Sequence, residues 1–276
     1  MRLFNPDSAH WYGRDGVPMH TVPSAKGEPR ATTLRDARKL GLLPSVTNIL
    51  GVIAKPELTA WLQEQAVLAA LTLPRIAGEG EAEFAQRVVA DAQSEREKAA
   101  GFGTAMHHDA ERVAQTLEVD PEDPVAAWLR LYRDWYQANC VRLVWAERSL
   151  ASPQLGFAGT ADLLMDHQAH GLTLVDLKTQ GVKAGMKATA YKSWCYQLAA
   201  YRAALGQPVA CLNLIINSRE PAEPVEHRWS EEDIQRGWLA FQSAQTLWSI
   251  EKNFDPRVRA GQATNGTKPA ESSLAA

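Results

Sequence analysis

The sequence is poor in cysteine and has no long apolar run, and each absence excludes a class of protein. Only three cysteines (Cys140, Cys195 and Cys211) occur in 276 residues, with no CxxC spacing. Neither a disulfide framework nor a four-cysteine zinc or iron–sulfur site is therefore expected. No apolar run reaches transmembrane length, and the opening MRLFNPDSAHWYGRDG lacks the apolar stretch of a secretory signal. These features predict a cytoplasmic protein without a membrane partner.

A large net charge is also absent, but the charge is unevenly distributed. The net charge of −3 argues against a protein that is basic over its whole surface. Residues 178–219 nevertheless contain no Asp or Glu and six basic residues. Such a segment is either a solvated helix face or a surface for an anionic partner such as a nucleic-acid backbone. The candidate DNA contacts are Lys183, Lys187 and Lys192; a helix predicted over about 187–206 places Lys187 near its start, where the helix dipole disfavours a cation.

Hydrophobic periodicity predicts helices in the first half of the chain and mostly strands in the second. Helices are expected at about 81–99, then, after an interruption at Gly101 and Gly103, through TAMHHDAERVAQTL, and at about 123–140. Three strand candidates follow: VRLVWAERSL, GFAGTADLLMD and LTLVDLKTQ. A helix, the strand ACLNLIIN and a closing helix that opens with the capping-box signature SEED complete the order. This order predicts an α/β fold with a mixed central sheet flanked by helices and an N-terminal helical extension.

The two ends of the chain differ in composition from its middle. Residues 1–44 are rich in Gly, Pro and basic residues and have weak periodicity, so we expect an irregular segment of turns with a short β-ribbon at best. Residues 260–276 are small and polar, which predicts a disordered tail. Between them, residues 45–259 are predicted to form one domain.

Two of the predicted strands carry aspartates and are joined by the short turn HQAHG. A hairpin centred on residue 169 places Asp162 directly across from Asp176. Asp176 and Lys178 are two apart and therefore share a face of their strand. Like charges opposed on one face destabilise a hairpin, and a divalent metal held by oxygen ligands would compensate them. The alternative is a surface hairpin on which Asp176 and Lys178 are solvated or simply pair with each other.

Three further elements carry candidates for the same site. His107 and Glu111 are four apart and share a helix face, either as a metal-ligand pair or as an ordinary helix-surface pair. Glu147 lies on the preceding strand, as a member of the cluster or as an edge-strand charge. Gln197 lies beside the apolar stripe of its helix, one turn before Tyr201, and either bonds a site group or DNA or is a boundary residue.

Taken in order, GTAMHHDAE, AERSL, GTAD, VDLKT and YQLAAYR resemble the PD-(D/E)xK nuclease superfamily, most closely its RecB-like, phage-type exonuclease branch. The resemblance implies a restriction-endonuclease-like αβββαβ core and metal-dependent hydrolysis of phosphodiester bonds. It further implies DNA as the partner, recombination, repair or phage replication as the setting, and a bacterial or phage-infected cytoplasm as the location. A recombination or single-strand annealing partner protein and homo-oligomeric assembly stay open. Relatives with an iron–sulfur cluster carry four cysteines, so no cluster is expected here.

The resemblance also assigns roles by position. Asp162 matches the first metal-binding aspartate, and Asp176 and Lys178 match the acidic residue and the lysine of the (D/E)xK element. His107 matches the histidine of the helix motif, which is expected to bind metal. Supporting roles fall to an acidic residue of the preceding strand and to the QxxxY element, which here are Glu147, Gln197 and Tyr201.

These assignments lead to a hypothesis about the metal and its chemistry. Mg²⁺ or Mn²⁺ would be bound by His107, Asp162, Asp176 and the backbone carbonyl of Leu177. Lys178 would orient the attacking water or help to deprotonate it. Two alternatives stay open: a non-catalytic DNA-binding or assembly module that keeps the fold, and a hydrolase of small phosphoesters. The opposed carboxylates argue against the first, and the extended basic segment argues against the second.

Overall fold

The structure, a computed structural model, describes residues 10–257 of the chain. The predicted tail, residues 260–276, lies outside this range. The helices are α1 (Leu34–Leu40), α2 (Val46–Ile49), α3 (Pro56–Thr72), α4 (Glu81–Thr116), α5 (Ala126–Asn139), α6 (Lys192–Leu205) and α7 (Glu231–Glu251). The strands are β1 (Trp11–Tyr12), β2 (Thr21–Pro23), β3 (Pro29–Ala31), β4 (Leu43–Pro44), β5 (Cys140–Ser152), β6 (Phe157–His167), β7 (Gly171–Gln180), β8 (Ala210–Asn217) and β9 (Val225–Trp229). None of these helices combines the length and the apolar character that crossing a membrane requires.

A mixed five-stranded sheet forms the centre of the protein, with the strand order β5-β6-β7-β8-β9. All neighbouring strands are antiparallel except β7 and β8, which are parallel and are joined through α6. A parallel pair needs such a crossover, because its strands start at the same edge of the sheet. The predicted α/β fold with a mixed sheet is confirmed, with β9 added at the edge and α7 closing the chain.

Helices cover both faces of this sheet because its central strands alternate apolar side chains between two cores. Leu164 and Leu174 are paired across β6 and β7 and pack into the core formed with α2, α6 and α7. Leu163 and Val175, the next pair along, pack into the opposite core, formed with α4 and α5. Strands buried on both faces place any charged side chain they carry in a largely apolar environment.

Residues 10–44 are packed against the rest of the protein rather than separate from it. They contain the β2–β3 ribbon, the helix α1 and the short pair β1–β4. Trp11 is buried, and the centroid of its ring lies 6.2 Å from that of Trp248 and 6.3 Å from that of Phe254. The proposed domain boundary at residue 44 stays a prediction.

Two of the predicted helix boundaries are wrong. Gly101 and Gly103 do not interrupt the chain, because α4 runs without a break from Glu81 to Thr116. A Cβ atom at Gly103 would lie 3.1 Å from Thr179 Oγ1, so this glycine allows α4 to approach β7 closely. The helix α6 begins at Lys192 and not near Lys187, which lies in the loop before it.

Candidate active site

Strands β6 and β7 separate at the predicted pair of aspartates. Their ladder runs from His167–Gly171 to Leu163–Val175, a register that continues to Asp162 opposite Asp176, as predicted. Beyond this pair a side-chain oxygen takes the place of a main-chain acceptor, because Leu177 N donates to Asp162 Oδ2 at 2.6 Å. We name residues 162 and 176–178 the open end of the hairpin, and residues 166–171 the hairpin end.

Glu147 and His107 approach the open end from two different elements. Glu147 lies on β5 between Ala146, paired with Leu163, and Arg148, paired with Ala161, and is therefore opposite Asp162. Its φ of 44° is unusual for a residue other than glycine. His107, on α4, places Nδ1 3.4 Å from Asp162 Oδ2. Ligand atoms of His107, Glu147 and Asp162 lie within 4.8 Å of one another, so the three can share one metal ion.

The second aspartate is the start of a hydrogen-bonded chain. Lys178 Nζ lies 2.6 Å from Asp176 Oδ2 and donates to Gln197 Oε1 at 3.1 Å. Gln197 Nε2 in turn lies 3.2 Å from the hydroxyl of Tyr201. The structure therefore brings all four residues together, and the helix α6 holds the lysine through its glutamine.

Asn213, on β8, belongs to the same site although the sequence analysis missed it. It is fully buried and pairs with Asp176 in the β7–β8 ladder. Its Nδ2 donates to Asp176 Oδ2 at 2.7 Å, and its Oδ1 accepts from Trp229 Nε1 at 2.7 Å. The available signal was an asparagine in the middle of the apolar strand ACLNLIIN, since a buried amide needs polar partners.

A glycine in the GTAD stretch supports this arrangement sterically. A Cβ atom at Gly159 would lie only 2.7 Å from Tyr201 Cε1 and 3.2 Å from the tyrosine hydroxyl. The bare backbone of β6 therefore allows the Tyr201 ring to pack against it, and Tyr201 is the partner of Gln197. The requirement is for space, because the φ angle of Gly159 is not positive.

Burial and neighbouring charges shift the pKa values of the carboxyl groups at the open end. Burial, together with the charges of Asp162 and Glu111, raises the pKa of Glu147 to about 7. Burial and the Asp162 charge, opposed by Lys178, raise the pKa of Asp176 to about 6. For Asp162, burial is outweighed by His107, Lys178 and the Leu177 N–H, so its pKa is lowered. The same ion pair raises the pKa of His107 against the effect of burial.

The donor set fits a hard divalent cation such as Mg²⁺ or Mn²⁺. Asp162 and Asp176 each use Oδ2 for the contacts described above, and within residues 10–257 their Oδ1 atoms accept no hydrogen bond. Oxygen donors with free lone pairs are the ligands that such cations prefer. Burial and neighbouring carboxylates raise the pKa values of Glu147 and Asp176, and a bound cation would oppose both effects.

The other predicted residues lie at the margin of the site. Glu111 is near enough to Glu147 to raise its pKa, and it also accepts a hydrogen bond from Gln115. Lys183 is 62% exposed and lies 3.6 Å from Glu64 of α3. Lys187 is in the exposed part of the same loop, and Lys192 is the first residue of α6, where a cation opposes the helix dipole.

Together these features define a mixed α/β domain with a candidate metal centre built from acidic residues. A model of the PD-(D/E)XK nuclease superfamily matches residues 125–213, about one third of the chain. This segment runs from the start of α5 into β8 and includes the open end, but not His107. This part of the chain is therefore similar to the PD-(D/E)XK nuclease superfamily, in agreement with the resemblance seen in the sequence. A search of the curated proteins found no match.

Proposed function

We propose that this protein is a metal-dependent deoxyribonuclease that hydrolyses DNA from its ends. The observation that carries the proposal is the convergence of Asp162, Asp176 and Lys178 where β6 and β7 separate. Two carboxylates and one ammonium in a largely buried position are costly to maintain without a compensating role. Metal-dependent cleavage of an anionic backbone is such a role.

Mg²⁺ or Mn²⁺ is the cofactor that this donor set supports. His107, Asp162, Asp176 and the carbonyl of Leu177 would hold it, and Glu147 is within reach of the first two. When bound, the ion lowers the pKa of a water ligand and offsets negative charge on the scissile phosphate. Because Glu147 faces the same cluster, we assign it a supporting role as a further carboxylate.

The remaining residues hold the catalytic groups in position or neutralise negative charge. Lys178 places its ammonium group beside Asp176, where it can orient the attacking water and stabilise negative charge. Gln197 and Tyr201 fix the direction of Lys178, and Asn213 fixes Asp176. Lys183, Lys187 and Lys192 lie on the chain directly after the open end, where they can contact successive phosphates of DNA.

The preference for DNA ends rests on the likeness to the RecB-like, phage-type branch, which is an argument by analogy. The same likeness supports a role in recombination, repair or phage replication, alongside a partner such as a single-strand annealing protein. A homo-oligomer is compatible with this role.

The test compares end-labelled linear DNA with covalently closed circular DNA, each incubated with Mg²⁺, with Mn²⁺ and with a chelator. We expect metal-dependent loss of the linear DNA only, and no loss with Lys178→Ala. A matched control is Asp166→Asn, which changes an aspartate at the hairpin end of β6 that pairs with Arg142. Cleavage of the circle would instead indicate an endonuclease. Salt-sensitive binding without turnover would indicate a DNA-binding module, and either result overturns the proposal.

A further inference from the structure

A second group of metal-ligating side chains lies outside the candidate active site. His167 and His170 flank the turn between β6 and β7, and Glu226 comes from the edge strand β9. One ligand atom from each lies within 4.8 Å of the others. The two imidazole rings are stacked, with centroids 4.5 Å apart and planes inclined by 18°. The β6–β7 hairpin and the distant strand β9 therefore present donors to one point.

The separations are too long for good hydrogen bonds. His167 Nε2 is 3.3 Å from Glu226 Oε1, and His170 Nε2 is 3.9 Å from Glu226 Oε2. Charge-assisted N–H···O bonds are about 2.7–2.9 Å long. Ligands at about 2.0–2.1 Å from a tetrahedral Zn²⁺ are separated by about 3.3–3.4 Å, which follows from those bond lengths. The separation at His167 thus matches the spacing of two ligands around an ion, and the separation at His170 would have to shorten by about 0.5 Å.

Trp135 of α5 holds the carboxylate in place. Its Nε1 donates to Glu226 Oε1 at 2.7 Å, and its ring lies 6.4 Å from the ring of His167. Metal-binding carboxylates are usually oriented by such an outer hydrogen bond. A carboxylate oxygen has two lone pairs, so Glu226 Oε1 can accept this hydrogen bond and still bind an ion.

We propose that His167, His170 and Glu226 form a Zn²⁺ site that fastens the β6–β7 turn to β9. Two imidazoles and one carboxylate favour zinc over Mg²⁺, which prefers oxygen ligands alone. His170 and Glu226 are 20% and 29% exposed at their side chains, so the ion can enter from solvent and keep a water as its fourth ligand. The buried ring of His167 anchors the site from beneath.

Binding of an ion at Nε2 requires a change of tautomer in His167. In the metal-free protein, Ala169 N donates to His167 Nδ1 at 3.1 Å, so the ring carries its proton on Nε2. Zinc at Nε2 requires that proton to be on Nδ1, and the Ala169 N–H then loses its acceptor. Ala169 is exposed, so its N–H can bond to water instead. The amide resonance of Ala169 should therefore report zinc binding.

The test uses the full chain stripped of metal, with excess Mg²⁺ present, and titrates Zn²⁺ against a chromophoric chelator. The variants are His170→Ala and Glu226→Gln; the second keeps an oxygen for Trp135. His107→Ala is the matched control, because it removes a histidine from the other cluster. We expect zinc affinity to fall at least about tenfold in the first two variants, as loss of an outer-sphere partner alone costs that much. His107→Ala should retain one equivalent of tightly bound zinc.

Two further readouts separate a site from a structural hydrogen bond. Zinc should raise the melting temperature of the wild type but not of His170→Ala, and it should shift the Ala169 amide resonance. Unchanged zinc affinity in both variants would overturn the proposal. So would loss of binding with His107→Ala alone, which would locate the zinc at the open end.

Discussion

The two ends of the β6–β7 hairpin use titratable residues in opposite ways. At the open end, two aspartates and Glu147 face a single lysine and a histidine, and the pKa values of Glu147 and Asp176 are raised. At the hairpin end, two histidines face one carboxylate that a tryptophan already orients. The first set consists mainly of hard oxygen donors with excess negative charge, and the second mainly of imidazoles. One hairpin therefore carries two donor sets of different chemistry, separated along the same strands.

The two ends also differ in how deeply their aspartates are buried, and this decides whether a substitution there affects activity or stability. An aspartate such as Asp166, half-exposed near the hairpin end of β6, pairs with Arg142 at 2.7 Å and costs little. Asp176 is buried and crowded by Asp162, so folding works against its charge. Changes at the open end should therefore affect activity more than stability, and changes at the hairpin end should do the reverse.

The largest effect is expected from Asp176→Asn, which keeps the shape of the side chain. Loss of its charge should lower the rate of DNA cleavage by at least about 10²–10³-fold, the usual cost of removing a charge-stabilising group. Chemical denaturation should show metal-free stability that is unchanged or higher, because repulsion with Asp162 is relieved. Asp166→Asn should keep wild-type cleavage. Comparable activity in the two variants would contradict the comparison.

Next is Gly159→Ala, whose added methyl group would lie 2.7 Å from Tyr201 Cε1. Such overpacking typically costs about 1–3 kcal/mol, and a displaced Tyr201 no longer holds Gln197 and Lys178. The free energy of unfolding should fall, and cleavage at saturating DNA should fall with it. Gly171→Ala, at the hairpin end with a φ of 67°, is the counterpart. It should be destabilised by about 1 kcal/mol without loss of cleavage at a temperature where it stays folded.

The third prediction concerns pH. The pKa of Glu147 is raised to about 7 and that of Asp176 to about 6, so between about pH 4 and pH 7 the folded protein binds more protons than the unfolded chain. Metal-free stability contributed by these groups therefore falls as pH rises through that window. His107, whose pKa is raised, acts in the same direction above it. Because Glu147 is only partly buried, we expect about 1 kcal/mol from it.

This pH dependence is measured by denaturant unfolding at pH 5.5, 6.5 and 8, with and without Mn²⁺. Mn²⁺ should restore stability most at pH 8, because its ligands are then ionised. Glu147→Gln should flatten the metal-free profile. A wild-type stability that rises over this range, with no response to the substitution, would show that the open end does not carry the assumed charge.

The smallest effect is expected from Lys192→Gln at the first position of α6. Without DNA the variant should be more stable by about 0.3–1 kcal/mol, because a cation at a helix start opposes the dipole. DNA binding should weaken evenly across sequences, and the slope of log affinity against log salt should fall by about one. Arg236→Gln, an exposed change on α7 that removes a cation 3.8 Å from Glu232, is the control. An equal loss of DNA binding there would make the effect nonspecific.

The hairpin could be predicted because the residues that determine its register are close together in the sequence. The short turn HQAHG, centred on residue 169, predicted the register that places Asp162 across from Asp176. The mixed sheet followed from the order of elements, and Ser230 caps α7 through the capping box that SEED predicted. Features of this kind can be predicted from residues that are close together in the sequence.

Other features depend on contacts between distant parts of the chain. Glu147 faces Asp162 only because two register shifts in β5 alter its pairing with β6. Asn213 meets Asp176 through a parallel ladder whose register is set by packing. The loop before α6 is longer than expected, since Gln180 makes two hydrogen bonds with the backbone of Thr189 and delays the helix to Lys192. The secondary-structure propensity of a segment gives no information about its contacts with distant parts of the chain.

The unbroken helix α4 extends much further from its contact with β7 at Gly103 towards Glu81 than towards His107. His107 lies about 6 Å along the axis from Gly103, where α4 touches β7, whereas Glu81 lies about 33 Å away on the other side, at 1.5 Å per residue. If α4 pivoted as a rigid rod at Gly103, a displacement of about 3 Å at Glu81 would move His107 by about 0.5 Å. Metal–ligand distances tolerate only about 0.2 Å. If α4 moved in this way, a partner bound near Glu81 would change the position of His107, one of the proposed metal ligands.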